Sequence, residues 1–133
     1  MTLEELREFL AKEFPQSTVV LEDAGSLSSR VRQPIDERHL RPGGTVSGPT
    51  LTAVADVALY AAILAEIGPV ALAVTTNLTM NFMRRPPAGH DLVGQCRLLK
   101  LGQRLAVGEV YIYSDGIDDP VAHAIGTYSI PPR

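Results

Sequence analysis

An aspartate set inside an otherwise uncharged, apolar run is the residue in this sequence with the clearest capacity for chemistry. Asp56 is the only charged side chain between Arg41 and Glu66. A lone carboxylate is expensive to bury unless it is paired, hydrogen-bonded or wetted by a site. Ionisable groups in apolar settings therefore mark functional sites, and Asp56 is a candidate on that ground. The competing reading is structural: an aspartate on a narrow exposed stripe, or one capping a neighbouring backbone. A second candidate precedes it, the loop Arg41-Pro42-Gly43-Gly44-Thr45-Val46-Ser47-Gly48. This loop feeds into a predicted helix, where backbone N–H groups are unpaired and the helix dipole favours negative charge. A carbonyl placed there would have its developing oxyanion stabilised. Gly48 keeps its N–H and permits close approach, whereas Pro49 has none to donate. On these residues alone a plain Gly-rich turn explains the loop equally well.

A third feature is a polar row. Thr75, Asn77, Thr79 and Asn81 alternate with Thr76, Leu78, Met80 and Phe82 at the strand period, which predicts one polar, uncharged face and one apolar face. A hydroxyl such as Thr75 has the chemistry to orient a water or a carbonyl, while most of the row reads as a half-solvated sheet face. Arg84 and Arg85 follow, placed to meet an anionic ligand or to sit as a solvated strand end. Lys100 and Arg104 flank a turn with the same two readings. His39, His90 and His123 have no nucleophile at a readable spacing. No metal-ligand cluster, phosphate loop or G-x-S-x-G elbow is present in the sequence.

These residues need elements to hold them. Thr2 and Glu5 have the form of a capping box, and Leu3, Leu6, Phe9 and Leu10 recur at helical spacing, which predicts a helix over 3–13 ended by Pro15. Residues 17–23 and 27–35 read as strands joined by a turn at 24–26, and residues 36–48 as an irregular loop. The strongest prediction is a helix over 49–66, with Pro49 at its first position and Gly68-Pro69 beyond its end. Its body is apolar nearly all round, as in a helix buried on most sides. Four strands follow, about 70–83, 91–101, 104–114 and 121–130, with no helical spacers, so antiparallel pairing is expected. Ala106 with Gly108, and Ala122, Ala124 and Gly126, place small residues on one sheet face, where a helix lies close. The expected architecture is α+β: one long central helix wrapped by a curled antiparallel sheet.

The composition sets outer bounds. The 133 residues fit one domain with one core, and 45% hydrophobic with 20% charged residues is a globular composition. The net charge of -3 argues against nucleic acid or an anionic membrane as partner. The apolar run from Ala53 to Ala65 is interrupted by Asp56 and reads as too short to span a bilayer. Cys96 is the only cysteine, so no internal disulfide can form. The acidic N-terminal stretch does not have the form of a signal peptide, and a cytoplasmic setting is expected.

Taken together, three segments resemble the hotdog thioesterase superfamily, in particular its PaaI-like branch. They are Pro42 to Pro49 followed by Ala55-Asp56; the run from Val74 to Pro86; and Leu99 to Ala106 with Val121 to Thr127. The likeness runs from about residue 36 to the C-terminus. It implies a hotdog fold, a homodimer formed by joining two sheets edge to edge, often a homotetramer, and acyl-CoA hydrolysis in sites between subunits. It implies no cofactor beyond the CoA moiety of the substrate, and no metal. By the same resemblance Asp56 matches the acidic catalytic residue, acting as general base on water or as nucleophile. Gly48 matches the glycine whose N–H polarises the thioester carbonyl, and Thr75 a Ser/Thr position that helps orient the water. Ser47, Arg41, Asn77, Arg84 and Arg85 are the expected substrate-binding residues. The sequence departs from the family pattern at three places: Ser47 replaces His, Pro49 replaces the second Gly, and Arg41 replaces Asn.

Two other functions fit the same fold. One is a non-catalytic acyl-CoA or lipid-binding module, for which the altered loop is the support. The other is a β-hydroxyacyl dehydratase, for which His39, nine residues before Gly48, stands near the required histidine. Asp56 falls nearly a turn too late to be that enzyme's acidic partner.

Overall fold

The computed structural model describes residues 1–132; Arg133, included in the expected domain of 1–133, lies outside the described residues. The first helix, α1 (Leu3–Glu13), has the predicted bounds. The Glu5 N–H donates to Thr2 Oγ1 at 3.1 Å and the Thr2 N–H donates to Glu5 Oε1 at 2.9 Å, which closes the capping box. Leu6 is fully buried.

Strands β1 (Val20–Gly25) and β2 (Ser28–Gln33) form a hairpin whose turn falls at Ser26-Leu27, later than the predicted 24–26. Both turn residues have positive φ, 53° and 62°. Two such residues twist a two-residue hairpin in the sense its strands require, here without the usual Asn-Gly. The turn is fastened from outside: the Leu27 N–H donates to Glu66 Oε1 at 2.7 Å.

The segment 36–48 is more regular than its sequence predicts. A 3-10 turn (Glu37–His39) capped by Asp36 leads into a small hairpin of β3 (Leu40–Arg41) and β4 (Thr45–Val46). Gly43 and Gly44 take its turn with φ of 100° and 78°, a conformation strained for other residues. The Val46 N–H donates to Pro86 O at 3.0 Å and the Ser47 N–H to His39 O at 2.9 Å, so the hairpin is tied down on both sides.

The central helix α2 (Gly48–Ile67) is one residue longer at each end than predicted. Ser47 is its N-cap, so Gly48 is the first helical residue and Pro49 the second. Gly68, at φ 93°, ends it, with its N–H donating to Leu64 O. By length and composition α2 would cross a membrane. It instead packs against all six strands of one sheet, and most of its residues are buried.

That sheet contains β5 (Val74–Phe82), β6 (Leu92–Leu101), β7 (Leu105–Ser114) and β8 (Ala122–Ser129), in the order β1-β2-β6-β7-β8-β5. Every neighbouring pair is antiparallel. The small residues make room for α2 as expected. A Cβ on Gly108 would lie 2.7 Å from Leu59 Cδ2, one on Gly126 would collide with Leu59 Cδ1, and one on Gly94 would lie 2.9 Å from Val54 Cγ1. Gly108 and Gly126 are register partners, so Leu59 sits in a saddle made by two adjacent strands. Cys96 on β6 is 3% exposed, and burial pushes its thiol up to about 12. Arg32 on β2 joins Glu22, Asp91 and Asp115 at 2.8 to 3.3 Å, and these bonds hold the Glu22 and Asp115 carboxyls below their usual range.

Candidate active site

Asp56 lies two turns into α2 on the side that faces β5, where it is half-buried. Two hydroxyls converge on it. Thr75 Oγ1 donates to Asp56 Oδ1 at 2.6 Å, and the Tyr128 hydroxyl donates to the same oxygen at 2.7 Å. The Tyr128 oxygen is also 3.2 Å from the Asp56 main-chain oxygen. A phenol has one proton, and the shorter contact to the charged acceptor takes it. No donor among the described residues reaches Oδ2, which is also not among their buried, unpartnered atoms.

The position of Thr75 corrects the face assigned to the polar row. The pairing of β5 with β8 shifts by one residue between Thr75 and Asn77, leaving Thr76 as the extra residue of a bulge. Thr75 is paired with Tyr128, and Leu78 with Gly126. Thr75 therefore shares the helix-facing side with Leu78, Met80 and Phe82. Asn77 stays on the opposite side, where its Oδ1 accepts from Thr79 at 3.3 Å. Strict alternation puts Thr75 and Asn77 together, and the bulge separates them.

Gly48, Pro49, Thr52, Ala53, Asp56, Thr75, Leu78 and Phe82 line one open groove of about 720 Å³. Phe82 stands over its Gly48 end, 3.5 Å from the place a Cβ on Gly48 would occupy. As the first residue of α2, Gly48 has an N–H without an intrahelical acceptor, and no hydrogen bond to a described residue takes it up. Ser47 Oγ is 2.9 Å from Thr50 Oγ1, so its side chain does not cap the helix. A smaller cavity of about 240 Å³ lies on the other side of Asp56, between Tyr60, Thr75, Tyr128, Ala73 and the end of α1. A separate cavity of about 380 Å³ between α1 and β1 contains none of the candidate residues.

The remaining candidates fall outside the groove lining. Arg41 is exposed on β3. Arg84 and Arg85 are exposed just beyond β5, and Arg84 Nη1 donates to Pro120 O at 2.9 Å. The imidazole of His39 is committed to local structure, since its Nδ1 accepts the Asp36 N–H at 3.0 Å. His123 Nε2 is 3.1 Å from Glu109 Oε2. Among the described residues, no group of three or more His, Cys, Asp or Glu is placed to hold a metal ion.

Tyr128 is the site residue that the sequence reading missed, although a signal for it existed. Ala122, Ala124 and Gly126 mark the helix-facing side of β8, and the same parity two residues on gives Tyr128. It is 3% exposed, and its ring stacks with Tyr60 at 6.1 Å between centroids. Burial first, and then the neighbouring Asp56 charge, push its phenol far up, so it stays protonated and remains a donor.

A long buried helix laid across a six-stranded antiparallel sheet, with a carboxylate partway along it at an open groove, defines the hotdog class of α+β protein. The sequence profile of the Thioesterase superfamily matches residues 43–121, and the chain belongs to that superfamily. It is 35% identical over 97 residues to a Pseudomonas aeruginosa protein provisionally named an esterase, covering 73% of this chain and 71% of that protein. A crystal structure from Silicibacter sp. TM1040, provisionally named a thioesterase, is similar with a TM-score of 0.91 and 48% identity, covering 99% of this chain and 93% of the other. A mutant of the phenylacetic acid degradation protein PaaI from Thermus thermophilus is similar with a TM-score of 0.76 and 25% identity, covering 93% of this chain and 99% of the other.

Proposed function

We propose that this protein hydrolyses acyl-CoA thioesters to a carboxylic acid and CoA, with Asp56 as general base and the Gly48 N–H as oxyanion donor. The single observation that supports this most is the state of the Asp56 carboxylate. Oδ1 is held by two hydroxyls while Oδ2 is left for a water. Oδ2 takes a proton from that water as its oxygen attacks the thioester carbon. The carbonyl oxygen gathers negative charge against the Gly48 N–H and the positive end of α2. The intermediate then collapses, the C–S bond breaks, and the proton held on Asp56 passes to the leaving sulfur.

Helix geometry argues for a site shared between two subunits. Gly48 and Asp56 are eight residues apart on α2, which separates them by about 12 Å along the axis. One thioester cannot touch both groups of the same chain, because attack requires contacts of about 3 Å. Two antiparallel copies of α2 would place Gly48 of one near Asp56 of the other. The open edge of the sheet at β5 suits that arrangement. Leu72, Val74, Phe82 and Met83 are 45 to 75% exposed along it. The opposite edge, β1, is short and irregular and has Glu22 and Asp23, features that discourage pairing. The proposed unit is a homodimer through β5, or a tetramer built from two, acting on acyl-CoA in a cytoplasmic, reducing setting.

The test is thiol release from short, medium, long and aryl acyl-CoAs by the wild type and by Asp56→Asn. Hydrolysis by the wild type, with kcat/KM lowered at least a hundredfold in the variant, is the expected result. Wild-type activity within twofold in Asp56→Asn would sink the mechanism. Binding of every CoA ester without hydrolysis would shift the function to an acyl-CoA-binding module. The dehydratase reading loses its support here, because the His39 Nδ1 is engaged by its own turn and the ring is not in the groove lining.

A further inference from the structure

We infer that Tyr128 is a positioning residue for the Asp56 carboxylate, fixing which of its oxygens and which lone pairs meet the substrate water. The inference rests on the hydrolytic role proposed for Asp56. Three observations carry it. The bulge at Thr76 puts Thr75 opposite Tyr128, so hydroxyls from two neighbouring strands meet at one oxygen. Tyr128 itself has little freedom. It is 3% exposed, stacked on Tyr60, and paired with Ala106 on its other side. Tyr60 is anchored in turn by donation of its hydroxyl to Ala71 O at 3.0 Å. Thr75, by contrast, is exposed on an edge strand. Within the single chain the phenol is thus the more buried and more closely packed of the two donors.

Two donors on one oxygen have two consequences. They restrain rotation of the carboxylate about its Cβ–Cγ bond, so Oδ2 is held in one geometry. They also take up the lone pairs of Oδ1, which leaves Oδ2 as the oxygen free to accept a proton from water. The other titratable groups near this cluster are Tyr60 from α2 and Glu13 from the end of α1, both of which line the small cavity beside Asp56. Among the described residues, no arginine, lysine or histidine lines that cavity or the groove. Hydroxyl donors therefore do here what a cation does in many carboxylate sites.

The experiment is the pH profile of kcat and kcat/KM for the wild type, Tyr128→Phe and Asp56→Asn on one hydrolysed acyl-CoA. Tyr128→Phe deletes one oxygen and keeps the ring stack. Its kcat is expected to fall about tenfold with KM within twofold, in line with loss of a hydrogen bond to a charged group. Its acidic limb is expected to move, because the deleted hydroxyl donates directly to the group that takes the proton. A merely structural role would lower the active fraction equally at every pH and leave the limb in place, and that result overturns the inference. Wild-type kcat and an unmoved limb in Tyr128→Phe, beside a dead Asp56→Asn, would also overturn it while leaving the hydrolytic reading intact. An active Asp56→Asn would instead remove the reading beneath it. If Tyr128→Phe folds poorly, protein carrying 3-fluorotyrosine at position 128 alone serves. Its more acidic phenol is a stronger donor, so the limb should move in the opposite sense to that of a lost donor, and an unmoved limb overturns the inference.

Discussion

Asp56 has two oxygens in unequal surroundings, and that inequality is the basis of the residue-scale reasoning. Thr75 and Tyr128 occupy Oδ1, while no donor among the described residues reaches Oδ2. Thr75→Val removes the shorter of the two bonds with little change of volume, and is expected to lower kcat/KM about tenfold or more. Asn77→Ala, only two residues away, is expected to leave kcat/KM within twofold, because Asn77 lies across the sheet from the groove. Equal losses in the two variants would contradict the placement of the bulge. The aspartate was legible from its uncharged neighbourhood, since sequence alone shows that a charge in such a stretch needs a partner. Its partners were not equally legible. Strict alternation gives Thr75 the wrong companions, because a one-residue bulge reverses side-chain parity and leaves no mark in composition. Tyr128 carries no such mark, because an aromatic on a strand reads first as core, which by burial it also is. Arg41, Arg84 and Arg85 carry charge that suits a CoA phosphate, yet none reaches the groove within the single chain.

At the scale of elements, the long helix was legible because apolar content and breakers agree: Pro49 near its start, Gly68 at its end, and almost nothing polar between. The strands were legible to within one to four residues, because turn residues punctuate them. The loop over 36–48 was not. Its glycines and proline predicted irregularity, but backbone bonds to His39 O within it and to Pro86 O far along the chain shape it into a hairpin, and a partner as distant as Pro86 cannot be read locally. The glycine saddle is where element packing is least forgiving. Gly108→Ala would set a methyl 2.7 Å from Leu59 Cδ2 and 3.0 Å from Leu98 Cδ2. The expected destabilisation is about 1–3 kcal/mol, the usual range for overpacking. It is measured as a lower denaturation midpoint with unchanged slope. Combining it with Leu59→Ala, which vacates the contact, should give a double variant more stable than the sum of the two single effects predicts. Strict additivity would mean that the helix shifts bodily rather than pressing on that one side chain.

For the whole molecule, the open β5 edge and the axial offset of about 12 Å between Gly48 and Asp56 lead to one expectation. Light scattering should give twice the 14.3 kDa chain mass, or a multiple of it. Leu72→Lys and Val74→Lys together should shift the population toward single chains. Hydrolysis should fall in parallel and recover as protein concentration rises, because a shared site disappears with its partner. Full activity in a dilute, monomeric variant would refute a shared site. Sequence composition bears on this scale only indirectly. It limits the size of the core and the sign of the charge, while an unpaired sheet edge becomes apparent only when strand order is known.

The lone cysteine has a use of its own. Cys96 lies on β6, beside the β1–β2 hairpin in the sheet and beneath the central helix, with its thiol pushed up to about 12 by burial. In the native state it should be nearly silent toward disulfide reagents near neutral pH, so colour developed in a thiol-release assay would belong to the product. Any slow labelling of the protein would then time the excursions in which sheet and helix part. Measured with and without a bound CoA ester, that rate separates a ligand that merely sits in the groove from one that tightens the fold around it.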